Sequence, residues 1–237
     1  MRTLSWYKGN PEYQENIASY TPADGCFALA LYAAFLLVCY GLAVFASRFL
    51  YIRENILFFG ALAYWCMIGI TYLLMRLRKQ GLSSVGLVGG RWILSCLMGI
   101  VVAVISFMGN GGFTMIQSHP IISIKEIAHL ILYFLTIALC EELVFRGFIG
   151  TRINGLIKKR WIAIVTISVF FAFSHLLIRA AALNISILDL LFEQWMWLAE
   201  LFVLHIIWNF IYLKTNSLAG PILSHWAINL AFEVFAG

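Results

Sequence analysis

Apolar runs long enough to cross a bilayer follow one another along almost the whole chain, near 26–47, 56–75, 92–108, 127–150, 161–178, 187–213 and 218–235. About 20 apolar residues in helical form span a hydrocarbon core roughly 30 Å thick. Inside that core every backbone N–H and C=O must be satisfied within the protein, which leaves helices or a closed barrel. The runs are continuous rather than alternating, so helices are expected. With 62% hydrophobic and 11% charged residues, the 237-residue chain has too little polar surface to coat a soluble globule. The expected fold is all-α, a polytopic transmembrane bundle of seven to eight spans forming a single integral-membrane domain over 1–237.

Turn signals fall where spans end, at Gly81 to Arg91, Gly109 to Gly112 and the Gly220-Pro221 step. The first two dozen residues carry Arg2, Lys8, Glu12, Glu15 and Asp24 without a long apolar core, so a retained first helix is expected rather than a cleaved signal. Cys26, Cys39, Cys66, Cys96 and Cys140 show no Cys-x-x-Cys pairing and read as small packing residues. Seven spans with an inside N-terminus place Arg2, Lys8, Arg76, Arg78, Lys79, Arg91, Arg152, Lys158, Lys159, Arg160 and Lys214 on the inner face. Arg48, Arg53, Lys125 and Arg179 fall outside, 11 against 4, as the positive-inside rule requires. The net charge of +5 then reflects a basic face meeting anionic headgroups, and no nucleic-acid partner is implied.

Within the fourth run stand Glu141, Glu142 and Arg146. Ionisable groups at membrane depth are costly unless paired or wet, and so mark candidate functional sites. On a helix Glu142 and Arg146, four apart, share a face and can pair; Glu141, turned about 100° away, is left over. A carboxylate left over in this way is a candidate general base. The alternative is a purely structural clamp of three charges.

His175 lies late in the next run, and the midpoint of 141 and 175 is 158, within the Lys158-Lys159-Arg160 turn. In a hairpin bent there, Glu141 and His175 sit at matching heights, about 25 Å from the bend. His225 and Asn229 in the last run are again four apart, after a Gly220-Pro221 step that can open the backbone. His205 and Asn209 repeat the same spacing one run earlier, mirrored about the Lys214-Thr215-Asn216 turn, so depth alone does not choose between His205 and His225. His129 reads as helix packing, and His119 beside Pro120 as a loop residue in water.

Glu141-Glu142-x-x-x-Arg146 with Phe145-Arg146-Gly147, then Phe171-x-x-x-His175, then Asn216 through His225 and on to Asn229, resembles the motif series of the CPBP family. This is the group of CAAX prenyl protease type II (Rce1-like) and bacteriocin-processing enzymes, also called the Abi family. The resemblance covers about 125–235, the protease-like core, while the family-variable residues 1–90 carry no recognisable motif. It favours His225 over His205, because the family's last motif follows a Ser-Leu-x-x-Pro-Ile turn. It implies peptide-bond hydrolysis in or near the bilayer. Glu141 and His175 would activate a water, His225 and Asn229 would donate to the oxyanion, and Glu142 and Arg146 would support Glu141.

Glu141, His175 and His225 are also a possible zinc set. A metal-free glutamic mechanism is preferred, because an Asn stands at oxyanion spacing and no His-x-x-x-His pair is present. Two other classes remain: a non-catalytic membrane partner such as an immunity factor or regulator, and a proton-coupled transporter, disfavoured because only the C-terminal half is polar at depth. The expected partners are a peptide or protein substrate at the membrane and the bilayer itself. A bacterial plasma membrane is the expected location. Trp195, Trp197, Trp208 and Trp226 read as interfacial anchors and packing residues rather than ligand contacts, and Ser186, Asp189 and Glu193 could form part of an outer mouth.

Overall fold

The computed structural model describes residues 9–118 and 124–236, and all regular structure among them is helical. Arg2, Lys8 and His119 lie outside the described residues, as does the side chain of Lys125. A short helix α1 (Pro11–Ser19) precedes α2 (Pro22–Arg48), α3 (Leu50–Glu54), α4 (Ile56–Leu77), α5 (Trp92–Gly109) and α6 (Gly112–Ser118). Helix α7 (Ile124–Glu141) continues into a π-helical segment (Glu142–Ile149) and a short α8 (Gly150–Arg152). After the basic turn come α9 (Arg160–Leu183), α10 (Ile187–Glu193), α11 (Trp195–Thr215) and α12 (Ala219–Ala236).

Six helices among the described residues are long and apolar enough to cross a membrane: α2, α4, α5, residues 126–155, α9 and α11. Their outer faces expose Leu37, Phe58, Ile105, Leu132 and Val203, which a bilayer would cover. The burial of their most apolar windows rises from 22% in α4 and α5 to 44% in α11, which places α9 and α11 inside the bundle. Helix α12, the seventh expected span, falls short of the same measure; His225, Asn229 and Glu233 interrupt its apolar sequence. The expected sixth span 187–213 is two helices, because the backbone at Gln194 leaves the helical region at φ −122° and ψ 26°. An apolar pattern has no means of registering that break.

Local sequence accounts for how the first spanning helix begins. Thr21 and Asp24 cap α2 reciprocally ahead of Pro22, which suits the first helical turn. The Asp24 carboxylate also accepts from Arg78 Nε at 2.9 Å and Gln80 Nε2 at 3.0 Å. Gln80 in turn accepts from the buried Arg152 at 2.7 Å, and Arg152 donates further to the carbonyls of Ser84 and Gly147. This network ties α2, the 78–85 connection and the end of the π segment together at the basic end. All five cysteines are free; Cys39 and Cys140 are buried, Cys96 is half-buried, and Cys26 and Cys66 are exposed.

Small residues bring α12 into the bundle. The buried residues of α5 are Ser95, Gly99 and Ala103, spaced four apart on one stripe. A Cβ at Gly99 would lie 2.3 Å from the carbonyl oxygen of Gly220, and one at Gly220 would lie 2.0 Å from that of Ser95. Ser95 Oγ accepts from the Gly220 N–H at 2.9 Å and donates to the Ser217 carbonyl at 3.0 Å. Close backbone approach through small residues, with hydrogen bonds across it, is how helices associate where no hydrophobic effect separates them from lipid. Gly99→Leu is therefore expected to push α12 off α5 and destabilise the fold by about 2–3 kcal/mol. Val104→Leu on the exposed face of the same helix should be silent; thermal unfolding in detergent compares the two.

Candidate active site

The π segment is the centre of the site. All eight of its residues, Glu142 to Ile149, are buried, and the wider turn is closed by the Gly150 N–H donating to the Phe145 carbonyl five residues back. Such segments concentrate at functional sites. The Glu142 carboxylate pairs with the Arg146 guanidinium, and both side chains are fully enclosed. The oxygen Oε1 of Glu142 also meets Nδ1 of His225 at 3.0 Å. One buried carboxylate thus connects the π segment to α12.

Glu141 is the last residue of α7, and its two oxygens have different surroundings. Oε1 accepts from the hydroxyl of Tyr64, on α4, at 3.0 Å. Oε2 lies 3.7 Å from Nε2 of His175 and 3.8 Å from Nε2 of His225. The hairpin bent at the basic turn therefore does bring Glu141 and His175 to one height, and α12 adds His225 to them.

Each imidazole is oriented through its far nitrogen. Nδ1 of His175 is 2.9 Å from the Phe171 carbonyl, and Nδ1 of His225 faces Glu142. A carbonyl oxygen can only accept, and so can a carboxylate paired with arginine. Both Nδ1 atoms therefore carry a hydrogen, and in its neutral form each ring turns the lone pair of Nε2 toward Glu141 Oε2. Three acceptors converge on one point, at spacings too long for direct hydrogen bonds. Trp208 holds His225 from behind. Its ring stacks on the imidazole at 4.9 Å, its indole N–H donates to Ser224 Oγ at 2.9 Å, and the Arg146 guanidinium lies over it, 5.4 Å from the ring centroid.

Glu141, His175, His225 and Asn229 all line one cavity of about 600 Å³, which also takes in Tyr64 and Trp208. Asn229 stands one helical turn after His225. The cavity runs from Glu141 toward the helix ends remote from the basic turn, where Arg179, Trp197 and Glu200 form its wall. Glu142 and Arg146 do not line it and act from behind. Among the described residues no group of three His, Cys, Asp or Glu side chains is disposed to hold a metal ion. The possible zinc set named from the sequence, Glu141, His175 and His225, is the trio that faces one point here, with both Nε2 atoms 3.7 and 3.8 Å from Glu141 Oε2.

His205 is fully buried and does not line the cavity. Its Nδ1 is engaged by Ser168 Oγ and Asn209 Nδ2, each at 2.9 Å, and its ring stacks on Phe171 at 4.6 Å. Phe171 also packs on His175, with ring centroids 4.5 Å apart, so His205 supports the site through that ring. Of the tryptophans, Trp208 is 2% exposed and packs on His225, and Trp197 lines the cavity beside His175. An aromatic in an apolar run carries no mark of the face it occupies, so the sequence does not separate these two from anchors. Ser186 caps α10, and neither it nor Asp189 nor Glu193 lines the cavity.

Tyr64 has no place in the sequence-based site. Its one available signal is a hydroxyl in the middle of an apolar span, where a buried tyrosine needs a hydrogen-bond partner. Tyr64→Phe keeps the ring and removes the donor that orients Glu141. It is expected to leave the fold intact and lower the rate of any reaction that Glu141 serves by roughly 10-fold or more; activity assays with matched unfolding curves would check this.

No curated protein and no solved structure matches the chain. The family model described as type II CAAX prenyl endopeptidase, Rce1-like, matches residues 123–231. That span contains the π segment, both histidines of the cavity and Asn229, so the similarity to the Rce1-like type II CAAX prenyl endopeptidase family covers most of the candidate site.

Proposed function

We propose that this protein is an intramembrane endopeptidase in which Glu141 and His175 activate a water against a peptide bond of a membrane-associated or lipidated substrate. The observation that carries the reading is the convergence of Glu141 Oε2 and two histidine Nε2 lone pairs, at 3.7 and 3.8 Å, on the wall of a cavity of about 600 Å³. A water admitted there donates its hydrogens to Oε2 and to His175 Nε2, which turns an oxygen lone pair toward a scissile carbonyl carbon. As the C–O bond forms, Glu141 takes the proton. As the C–N bond breaks, that proton passes to the leaving nitrogen. Tyr64 keeps Oε1 occupied, so Oε2 is the oxygen that works.

The negative charge on the carbonyl oxygen needs donors. Asn229 supplies a neutral amide from the cavity wall. In its neutral form His225 presents a lone pair, since its hydrogen is committed to Glu142. It becomes an Nε2–H donor to the oxyanion when it takes up a proton from solvent through the cavity. Glu142 and Arg146 thus support the site by orienting His225 as well as by fixing the helix that carries Glu141.

The reading is tested with detergent-purified wild type, Glu141→Gln and His175→Ala on a library of membrane peptides, with metal content measured on the same samples. Both variants are expected to fold and to lose at least about 10³-fold in kcat, and Asn229→Ala about 10²-fold. Cleavage surviving in Glu141→Gln would overturn the mechanism. Stoichiometric zinc lost together with activity would replace it by a metallopeptidase.

A further inference from the structure

A second cavity, of about 280 Å³, lies between α2, α4 and α9 toward the end of the bundle remote from the basic turn, and Tyr64 is the one residue it shares with the catalytic cavity. Much of its wall is small: Ala43 and Ala46 from α2, Gly60 and Ala63 from α4, and Ala182 from α9. Small residues ordinarily let membrane helices close on one another. Here they border a space instead. The inner walls are hydrocarbon but for Cys39, Tyr64 and Tyr133, and the Tyr64 hydroxyl is engaged by Glu141, so water, which needs about two to four polar partners, is poorly held there. Along α4 the cavity runs from Ile56 to Tyr64, about 12 Å, a depth suited to an extended hydrocarbon chain. Arg53 stands at its outer end, exposed. Among the described residues no carboxylate lies within ion-pair distance of Arg53, the adjacent Glu54 included.

We propose that this cavity binds an anionic phospholipid of the bilayer, with one acyl chain laid along α4 and the phosphate held by Arg53. Charge complementarity selects the occupant: an unpaired guanidinium binds phosphate oxygens through two parallel hydrogen bonds, and a basic residue near the membrane surface favours anionic over neutral lipid. The chain needs no charge or donor on the way in, which the small apolar walls match. Its inner end meets Tyr64, whose hydroxyl donates to Glu141 Oε1 at 3.0 Å. A lipid chain packed on that ring steadies the side chain that orients Glu141, so occupancy of the second cavity is linked to the first. The lipid site stands without the peptidase reading above; its effect on turnover rests on that reading.

The test titrates the delipidated full chain in detergent with dioleoyl phosphatidylglycerol or dioleoyl phosphatidylcholine and reads bound lipid by native mass spectrometry. Wild type is expected to bind one phosphatidylglycerol with roughly 5-fold or more preference over phosphatidylcholine, and Arg53→Gln to bring that ratio near one. Ala182→Phe, which fills the cavity from an exposed position, should weaken both lipids by roughly 10-fold. Matched unfolding curves keep loss of fold apart from loss of the site. Equal affinity for the two lipids in wild type, a ratio unchanged by Arg53→Gln, or binding unchanged by Ala182→Phe would each overturn the proposal. With a cleavable peptide, phosphatidylglycerol is expected to raise kcat by about 3-fold or more in wild type and to leave Ala182→Phe unchanged; a kcat indifferent to bound lipid in wild type would overturn the link through Tyr64. Because binding is read without turnover, a protein that cut no peptide but bound phosphatidylglycerol through Arg53 would keep the lipid site, and the peptidase reading alone would fail.

Discussion

The buried carboxylate of Glu142 is the interaction on which the rest of the site depends. Enclosed in the π segment, it is neutralised by Arg146 and accepts from His225 Nδ1. A buried charge is tolerated only when paired and hydrogen-bonded. Both partners are themselves engaged elsewhere. Arg146 lies over Trp208, whose ring stacks on His225, and His225 brings α12 up to Glu141. The electrostatic requirement of one residue therefore fixes the rotamer of an imidazole on a different helix.

That arrangement needs α12 to approach closely, and backbone packing supplies the approach. The Ser95, Gly99, Ala103 stripe of α5 lets the Gly220 backbone into contact. At the basic end, Arg152 joins Gln80, Ser84 and Gly147, so the π segment is held from its far end by hydrogen bonds rather than by the groups that line the cavity. The cavity can then remain polar on one wall and open, because the stability of the bundle comes from elsewhere.

The Glu142–Arg146 pair and the meeting of Glu141 with His175 were legible because both follow from helical periodicity and from the symmetry of a hairpin about its turn. His225 was not separable from His205 on those grounds, since both lie at the right depth with an asparagine one turn on. The motif resemblance favours His225, and packing separates the two physically: His205 is shut against Ser168 and Asn209, whereas His225 faces the cavity. Tyr64 lies 77 residues from Glu141, outside the family match, and no local pattern connects the two. The break at Gln194 and the π turn were equally silent, because both are backbone events that leave the apolar pattern unchanged.

By itself, then, the sequence determined that this chain is an all-helical membrane protein with a small set of charged and polar residues at depth, because hydropathy and helical spacing are properties of the chain alone. Which nitrogen of each histidine points at Glu141, which oxygen of Glu141 is left free, and which tryptophans turn inward were decided only by the tertiary structure. Those choices depend on partners supplied by other helices, and a hydrogen bond between helices has no signature in the spacing along either one.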